Sequence, residues 1–247
     1  DNGKMFVHTL DDEKVKNTFV WNNGSARTNY KIVDKRAMMT EINDKGENVS
    51  REKQAELVSL VGELSKSASV AVMSGSLPSG VGDDYYLKLS SAVPKTTKII
   101  LDTSGNKMIA GLRGGAYLIK PNLDELQEMT GEHYDSFDEM ITGCEKLIEA
   151  GAENVMLSLG RKGAILTDGD KAYFCKSATV AVNSTVGAGD GMVAAAASMI
   201  EQNAPYEDVL RCAVAAGTAS VMTPGTNLFY KENFIEIYRK IQVERLR

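Results

Sequence analysis

Cysteine is scarce and odd in number. Cys144, Cys175 and Cys212 are scattered through 247 residues. Three separated thiols make no disulfide framework and fit a reducing compartment, so a cytoplasmic location is expected. The two histidines, His8 and His133, lie in polar surroundings without ligand-like spacing. That excludes the usual pattern of a structural transition-metal site. Positive charge is not in excess: the formal net charge is −5, which argues against a nucleic-acid partner. Apolar runs long enough to cross a bilayer are missing, as are a secretory start, low-complexity segments and internal repeats. What remains is 43% hydrophobic, enough to bury the core of one α/β domain with a small appendage.

The most informative stretch is Asn183-Ser184-Thr185-Val186-Gly187-Ala188-Gly189-Asp190, which runs into the helix-forming Gly191-Met192-Val193-Ala194-Ala195-Ala196-Ala197. A glycine turn feeding a helix leaves first-turn amides unpaired, and the helix dipole adds partial positive charge. Glycine lets a ligand approach the main chain closely, so the turn reads as an anion site. Ser184 and Thr185 add hydroxyl donors. Asp190 stands at the helix head, where it either caps the helix or takes a proton from a substrate hydroxyl. An anion hole beside a base suits phosphoryl transfer, which is mostly positioning and charge stabilisation.

From Ser50 onward, buried apolar strands alternate with amphipathic helices, as in a doubly wound, mostly parallel sheet flanked by helices. Helices are expected over 4–16, 50–67, 82–93, 106–112, 135–150, 191–200, 205–221 and 232–245. Strands are expected over 69–73, 98–102, 154–159, 165–167, 173–174 and 179–182, with another ending at Lys120. Pro121 is expected in the first turn of the helix that follows. Phe19-Val20-Trp21 and Arg27 to Val33 alternate as short strands about an Asn-Asn-Gly-Ser turn, which suggests a small separate sheet. Asp102, at a strand end, either caps the next helix or points into a site.

The 183–190 stretch resembles the C-terminal motif of the ribokinase-like (PfkB) carbohydrate kinases, in the branch of 1-phosphofructokinase and tagatose-6-phosphate kinase. Other segments fit the same family: Lys120-Pro121-Asn122-Leu123-Asp124-Glu125, Ser74-Gly75-Ser76-Leu77-Pro78, and Ser158-Leu159-Gly160-Arg161-Lys162-Gly163. The resemblance spans nearly the whole chain. It implies a ribokinase-like α/β core over 1–17 and 43–247, with a β lid over 18–42. It also implies that the Gly187, Ala188 and Gly189 amides form the anion hole and that Asp190 is the catalytic base. Asn122 and Glu125 would act on Mg²⁺ indirectly, through water. ATP would be bound by Lys120, Asn122, Glu125, Ser158, Gly160, Gly163, Thr185 and Gly217. Arg27, Asn29 and Ser76, together with Asp190, would hold a phosphorylated ketohexose, with Lys31 as an alternative to Asn29.

Read from residues alone, several of these positions have plainer explanations. Arg27 suits a phosphate but equally guards an edge strand. Asn122 and Glu125 share a helix face and equally favour the helix dipole. Gly217 sits among small residues that admit either an adenine ring or a neighbouring helix.

Two family elements are not found: an N-terminal strand carrying a sugar-binding Asp, and a Gly-Gly-Lys-Gly-x-Asn segment. A segment preceding Asp1 is therefore expected. The expected reaction is transfer of the ATP γ-phosphoryl group to fructose 1-phosphate, with tagatose 6-phosphate as the alternative acceptor. A non-catalytic nucleotide-binding module is the reading if that segment is truly missing. A nicotinamide dehydrogenase fails on order, because its glycine turn follows the first strand of the unit. In this family the lid implies a homodimer; neither a membrane nor a nucleic acid is an expected partner.

Overall fold

The alternation of apolar strands and helices closes into two layers of helix about one sheet. A computed structural model describes residues 2–33 and 39–247. In chain order the elements are α1 (Gly3–Asp12), β1 (Tyr30–Val33), β2 (Met39–Ile42), α2 (Arg51–Leu64), β3 (Val70–Ser74), α3 (Tyr85–Ala92), β4 (Lys98–Asp102), α4 (Gly105–Leu112) and β5 (Leu118–Ile119). They continue as α5 (Leu123–Thr130), α6 (Phe137–Glu149), β6 (Val155–Ser158), β7 (Ala164–Thr167), β8 (Ala172–Cys175), α7 (Ala188–Glu201), α8 (Tyr206–Val221), α9 (Lys231–Lys240) and β9 (Val243–Arg245).

The main sheet has seven strands in the order β3-β4-β5-β6-β7-β8-β9. The strands β3 to β6 are parallel, and β7 and β9 run against the rest. Side chains alternate across a strand, so each strand feeds two cores. Leu101, Ile119 and Leu157 face Leu89, Met108, Leu126 and Ile141 of the helices α3 to α6. Ile100, Leu118 and Met156 face Val193, Ala196, Leu210 and Val214 of α7 and α8. Helices therefore cover both faces, as the apolar runs of the parallel strands require.

A small antiparallel sheet is present, but not between the expected partners: β1 starts only at Tyr30, not Arg27, and pairs with the unexpected strand Met39–Ile42, in register Tyr30 with Ile42. Residues 34–38 of the expected lid, and Asp1 of the expected core, lie outside the described residues. Phe19-Val20-Trp21 is not a strand, although Phe19 and Trp21 pack ring to ring at 5.7 Å. Residues 179–182 are likewise not a strand. Thr179, Val180 and Val182 instead line a cavity. The last helix ends at Lys240, and Val243 to Arg245 instead pair with β8. The 232–245 helix reading fails because Ile241 leaves the helix in an extended conformation, and the free edge of β8 supplies alternative hydrogen bonds. Among the described residues no helix is long and apolar enough to cross a membrane.

Candidate active site

The parallel strands all release their chains at one end of the sheet, and in such folds the crevice beyond the carboxyl ends is where ligands lie. Ser74-Gly75-Ser76 leaves β3, Asp102 closes β4, Lys120 follows β5 and Ser158 closes β6.

The glycine turn is built as its residue types suggest. Gly187 is the N-cap of α7 with φ +79, the left-handed conformation that glycine adopts without strain. The helix begins at Ala188, earlier than periodicity indicated. Its first i to i−4 bond runs from the Gly191 N–H to the Gly187 carbonyl at 2.8 Å. The amides of Ala188, Gly189 and Asp190 thus belong to the open first turn. Asp190 is the third helical residue, not the cap, and is exposed. Its carboxylate is therefore not consumed by capping. The turn is fastened from below. The Asn183 N–H donates to the Val221 carbonyl at 2.8 Å, Asn183 Nδ2 donates to the Met222 carbonyl at 2.7 Å, and Ser184 Oγ accepts from the Val186 N–H at 3.2 Å.

Beside this turn lies a cavity of about 520 Å³. Thr185, Ala188 and Gly189 line it together with Ser158, Gly160, Gly163 and Gly217, so five sequence-expected nucleotide residues and two anion-turn residues share one wall set. Its floor is apolar, with Met192, Val214 and Val221. Gly217 also serves the plainer purpose. A Cβ there would meet Met192 Cγ at 2.7 Å, because α7 and α8 pack closely. Gly163 is needed by the backbone: φ is +113 and a Cβ would lie 1.9 Å from the Cys175 carbonyl oxygen. Sequence reasoning missed Ser177 and Thr218, whose hydroxyls meet at 2.9 Å on the cavity wall. Neither has a motif around it that would have flagged it.

Asn122 is the N-cap of α5, so Pro121 precedes the helix instead of opening it. Asn122 Oδ1 accepts from the Glu125 N–H at 2.8 Å, and Glu125 Oε2 accepts from the Asn122 N–H at 2.9 Å. This reciprocal pair is a capping box. Ser158 is tied to the same segment, its N–H donating to the Pro121 carbonyl at 2.9 Å.

Lys120 is 8% exposed. Its Nζ lies 3.2 Å from Asp102 Oδ1. It also lies 3.2 Å from where a Cβ would stand on Gly189. The sequence left Asp102 open between cap and site. The N-cap of α4 is Ser104, and Asp102 pairs with Lys120. Burial holds the Asp102 carboxyl above the ordinary carboxylate range, the Lys120 ammonium pulls it down, and the charge of Asp190 pushes it up.

A second cavity, of about 510 Å³, opens between the small sheet and the loop after β3. Arg27, Asn29 and Ser76 all line it, with Asn43, Asp44 and Lys45. Arg27 Nη1 donates to Ser76 Oγ. Asn29 Oδ1 accepts from the Asp44 N–H at 3.1 Å. The Asp44 carboxylate accepts the Gly46 N–H and, more weakly, the Thr28 N–H, which holds it below its usual range. Lys31 is not part of this wall: its Nζ pairs across the strands with Glu41 at 2.9 Å. Lys45 was missed because nothing in its sequence surroundings resembles a motif.

The two cavities are joined by a line of contacts across the strand ends. Arg27 touches Ser76, the neighbouring Gly75 N–H donates to the Asp102 carbonyl at 3.1 Å, Asp102 pairs with Lys120, and Lys120 lies against Gly189.

Known proteins are similar to this chain in sequence and in fold. Residues 1–233 match the pfkB family carbohydrate kinases. The chain is 32% identical to 1-phosphofructokinase of Borreliella burgdorferi over 222 residues, covering 89% of this chain and 71% of that protein. It is 30% identical to tagatose-6-phosphate kinase of Staphylococcus epidermidis over 245 residues, covering 98% and 79%. The crystal structure of phosphofructokinase-2 from Escherichia coli in complex with substrates and products superposes with a TM-score of 0.88 at 30% identity, covering 96% of this chain and 78% of that one. The glycine turn, the crevice at the strand ends and the match along most of the sequence agree: the chain belongs to the pfkB family of carbohydrate kinases, phosphotransferases with an alcohol group as acceptor.

Proposed function

We propose that this kinase transfers the γ-phosphoryl group of ATP to a hydroxyl of a phosphorylated ketohexose, fructose 1-phosphate first, giving fructose 1,6-bisphosphate. The carrying observation is the contact line that joins an apolar cavity beside the anion turn to a polar cavity holding Arg27. The nucleotide occupies the first cavity, with its phosphates toward Gly187, Ala188, Gly189 and Lys120. Ser158, Gly160, Gly163, Thr185 and Gly217 flank it. The acceptor occupies the second, its phosphate on Arg27 with Asn29 and Ser76 alongside. Asp190 takes the hydroxyl proton, the alcohol oxygen bonds to the γ-phosphorus, and the bond to the β–γ bridging oxygen breaks to release ADP.

Mg²⁺ suits this donor set only as a hydrated ion. Among the described residues no group of three or more His, Cys, Asp or Glu could hold a metal. Asn122 and Glu125 each spend one oxygen in the capping box. The second Glu125 carboxylate oxygen is available to bound water, and Mg²⁺ keeps several waters on phosphates. When bound, the ion would neutralise phosphate charge.

Residues 18–42 act as the lid and 1–17 with 43–247 as the core, in a cytoplasmic enzyme. The lid also pairs two subunits. Tyr30, Ile32 and Ile42 are all more than half exposed on β1 and β2, and a second lid would cover them.

A coupled ADP-release assay with fructose 1-phosphate and tagatose 6-phosphate tests the reading. Turnover should require one of these sugar phosphates. Asp190→Asn should lower kcat by roughly 10²- to 10⁴-fold while ATP binding persists. ATP binding without turnover on either sugar phosphate would support the non-catalytic module instead.

A further inference from the structure

A buried carboxylate–ammonium pair is poor evidence for stability, because desolvating two charges consumes most of their attraction. Asp102 and Lys120 nonetheless sit together with side chains only 17% and 10% exposed. Their meeting is dictated by the sheet. The parallel register pairs Ile100 with Leu118 and Leu101 with Ile119, so the next position pairs Asp102 with Lys120. Ile100 and Leu118 belong to the core against α7, and alternation sends Asp102 and Lys120 to that same side. One step past the strand ends, that side is the foot of the anion turn.

Gly189 completes the geometry. A side chain there would begin 3.2 Å from Lys120 Nζ and 3.5 Å from its Cε. The missing side chain thus leaves room for an ammonium against Gly189, at the foot of the turn. A lysine head is a compact charge on a flexible four-carbon stem, with three donors that rotate freely. Left alone in that space it would have no fixed direction. We infer that Asp102 is a positioning residue: its carboxylate holds the Lys120 ammonium against Gly189, so that this charge adds to the turn's amides where a transferred phosphoryl group sits. The inference rests on the kinase reading for its chemistry, but the placement of Lys120 by Asp102 can be tested without turnover.

The test is a double-mutant cycle of Asp102→Asn and Lys120→Met in the full chain, with Asp102→Glu as the conservative variant. It reads kcat, the KM for the sugar phosphate, and ADP affinity by calorimetry. If Asp102 acts through Lys120, Asp102→Asn should lower kcat about tenfold or more with sugar-phosphate KM nearly unchanged, the scale of a coupled contact pair. With Lys120→Met already present, the same substitution should change kcat by less than about twofold. ADP affinity should weaken on Asp102→Asn when Lys120 is present, and stay level or tighten when it is not, because a negative charge near the phosphates has then been removed. Asp102→Glu should restore part of the loss. Equal losses in both backgrounds would overturn the inference, since Asp102 would then act independently of Lys120.

The paired variant Asp102→Asn with Lys120→Met leaves no unpaired buried charge, so it keeps the cycle readable if a single variant melts early. If no sugar phosphate gives turnover even without substitution, the kinase reading has failed, and the ADP-affinity cycle alone still decides whether Asp102 places Lys120.

Discussion

Arg27 shows how much a single side chain can carry. Its guanidinium reaches Ser76 on the wall of the second cavity, from the irregular segment that leads into β1. A guanidinium binds phosphate through a planar fork of donors, which neither alanine nor a lysine ammonium reproduces. Arg27→Ala should raise KM for the sugar phosphate roughly 10- to 100-fold, with Arg27→Lys recovering only part. Steady-state kinetics at saturating ATP separates KM from kcat, and an unchanged KM would remove Arg27 from the acceptor site. Lys31, two residues beyond Asn29 and inside β1, is paired with Glu41 on the surface. Lys31→Ala should therefore shift KM by less than about twofold, as expected for an exposed pair.

At the scale of elements, the helix caps separate structure from chemistry. Ser136 and Glu139 form a capping box on α6, as Asn122 and Glu125 do on α5. The α6 box lies on a helix that no proposed ligand touches. Ser136→Ala should cost about 1 kcal/mol of stability, seen as a lower Tm with unchanged kcat. Glu125→Gln keeps a side-chain acceptor for the Asn122 N–H, so the cap and the Tm should hold. It removes the negative charge proposed to face the hydrated Mg²⁺, so the Mg²⁺ concentration for half-maximal rate should rise several-fold. A Tm loss with no change in Mg²⁺ dependence would reduce Glu125 to a cap. Elements were legible wherever local chemistry fixed them. The strand Lys98–Asp102 and the Ser50 cap of α2 are where periodicity and capping residues indicate. Failures came where tertiary contacts decided. Residues 179–182 have β-forming side chains but find no partner strand, and Val243 to Arg245 leave the helix to take the edge of β8.

At the scale of the molecule, the sequence carried the layers and the anion turn but not the joining line between the cavities. The glycine turn is local, so its residue types sufficed. The Asp102–Lys120 pair is not local: it follows from β4 and β5 being neighbours in parallel register, which no spacing along the chain encodes. The small sheet raises a similar issue beyond one chain. Tyr30 and Ile32 lie on one face of β1, and the register sets Ile42 opposite Tyr30. All three are large, apolar and more than half exposed, and a contiguous apolar patch on a two-stranded sheet marks an interaction surface. A second lid laid face to face would bury the same three side chains from each subunit, as twofold symmetry requires. Sedimentation of the full chain should therefore give a dimer at micromolar concentration. Ile32→Glu should shift it to monomer by placing an unpaired charge in that contact. On the proposal that this segment is a lid over the sugar site, the monomer should show a raised sugar-phosphate KM while ADP binds as before. A dimer that survives Ile32→Glu, or a chain that sediments as a monomer throughout, would place the subunit contact elsewhere or remove it.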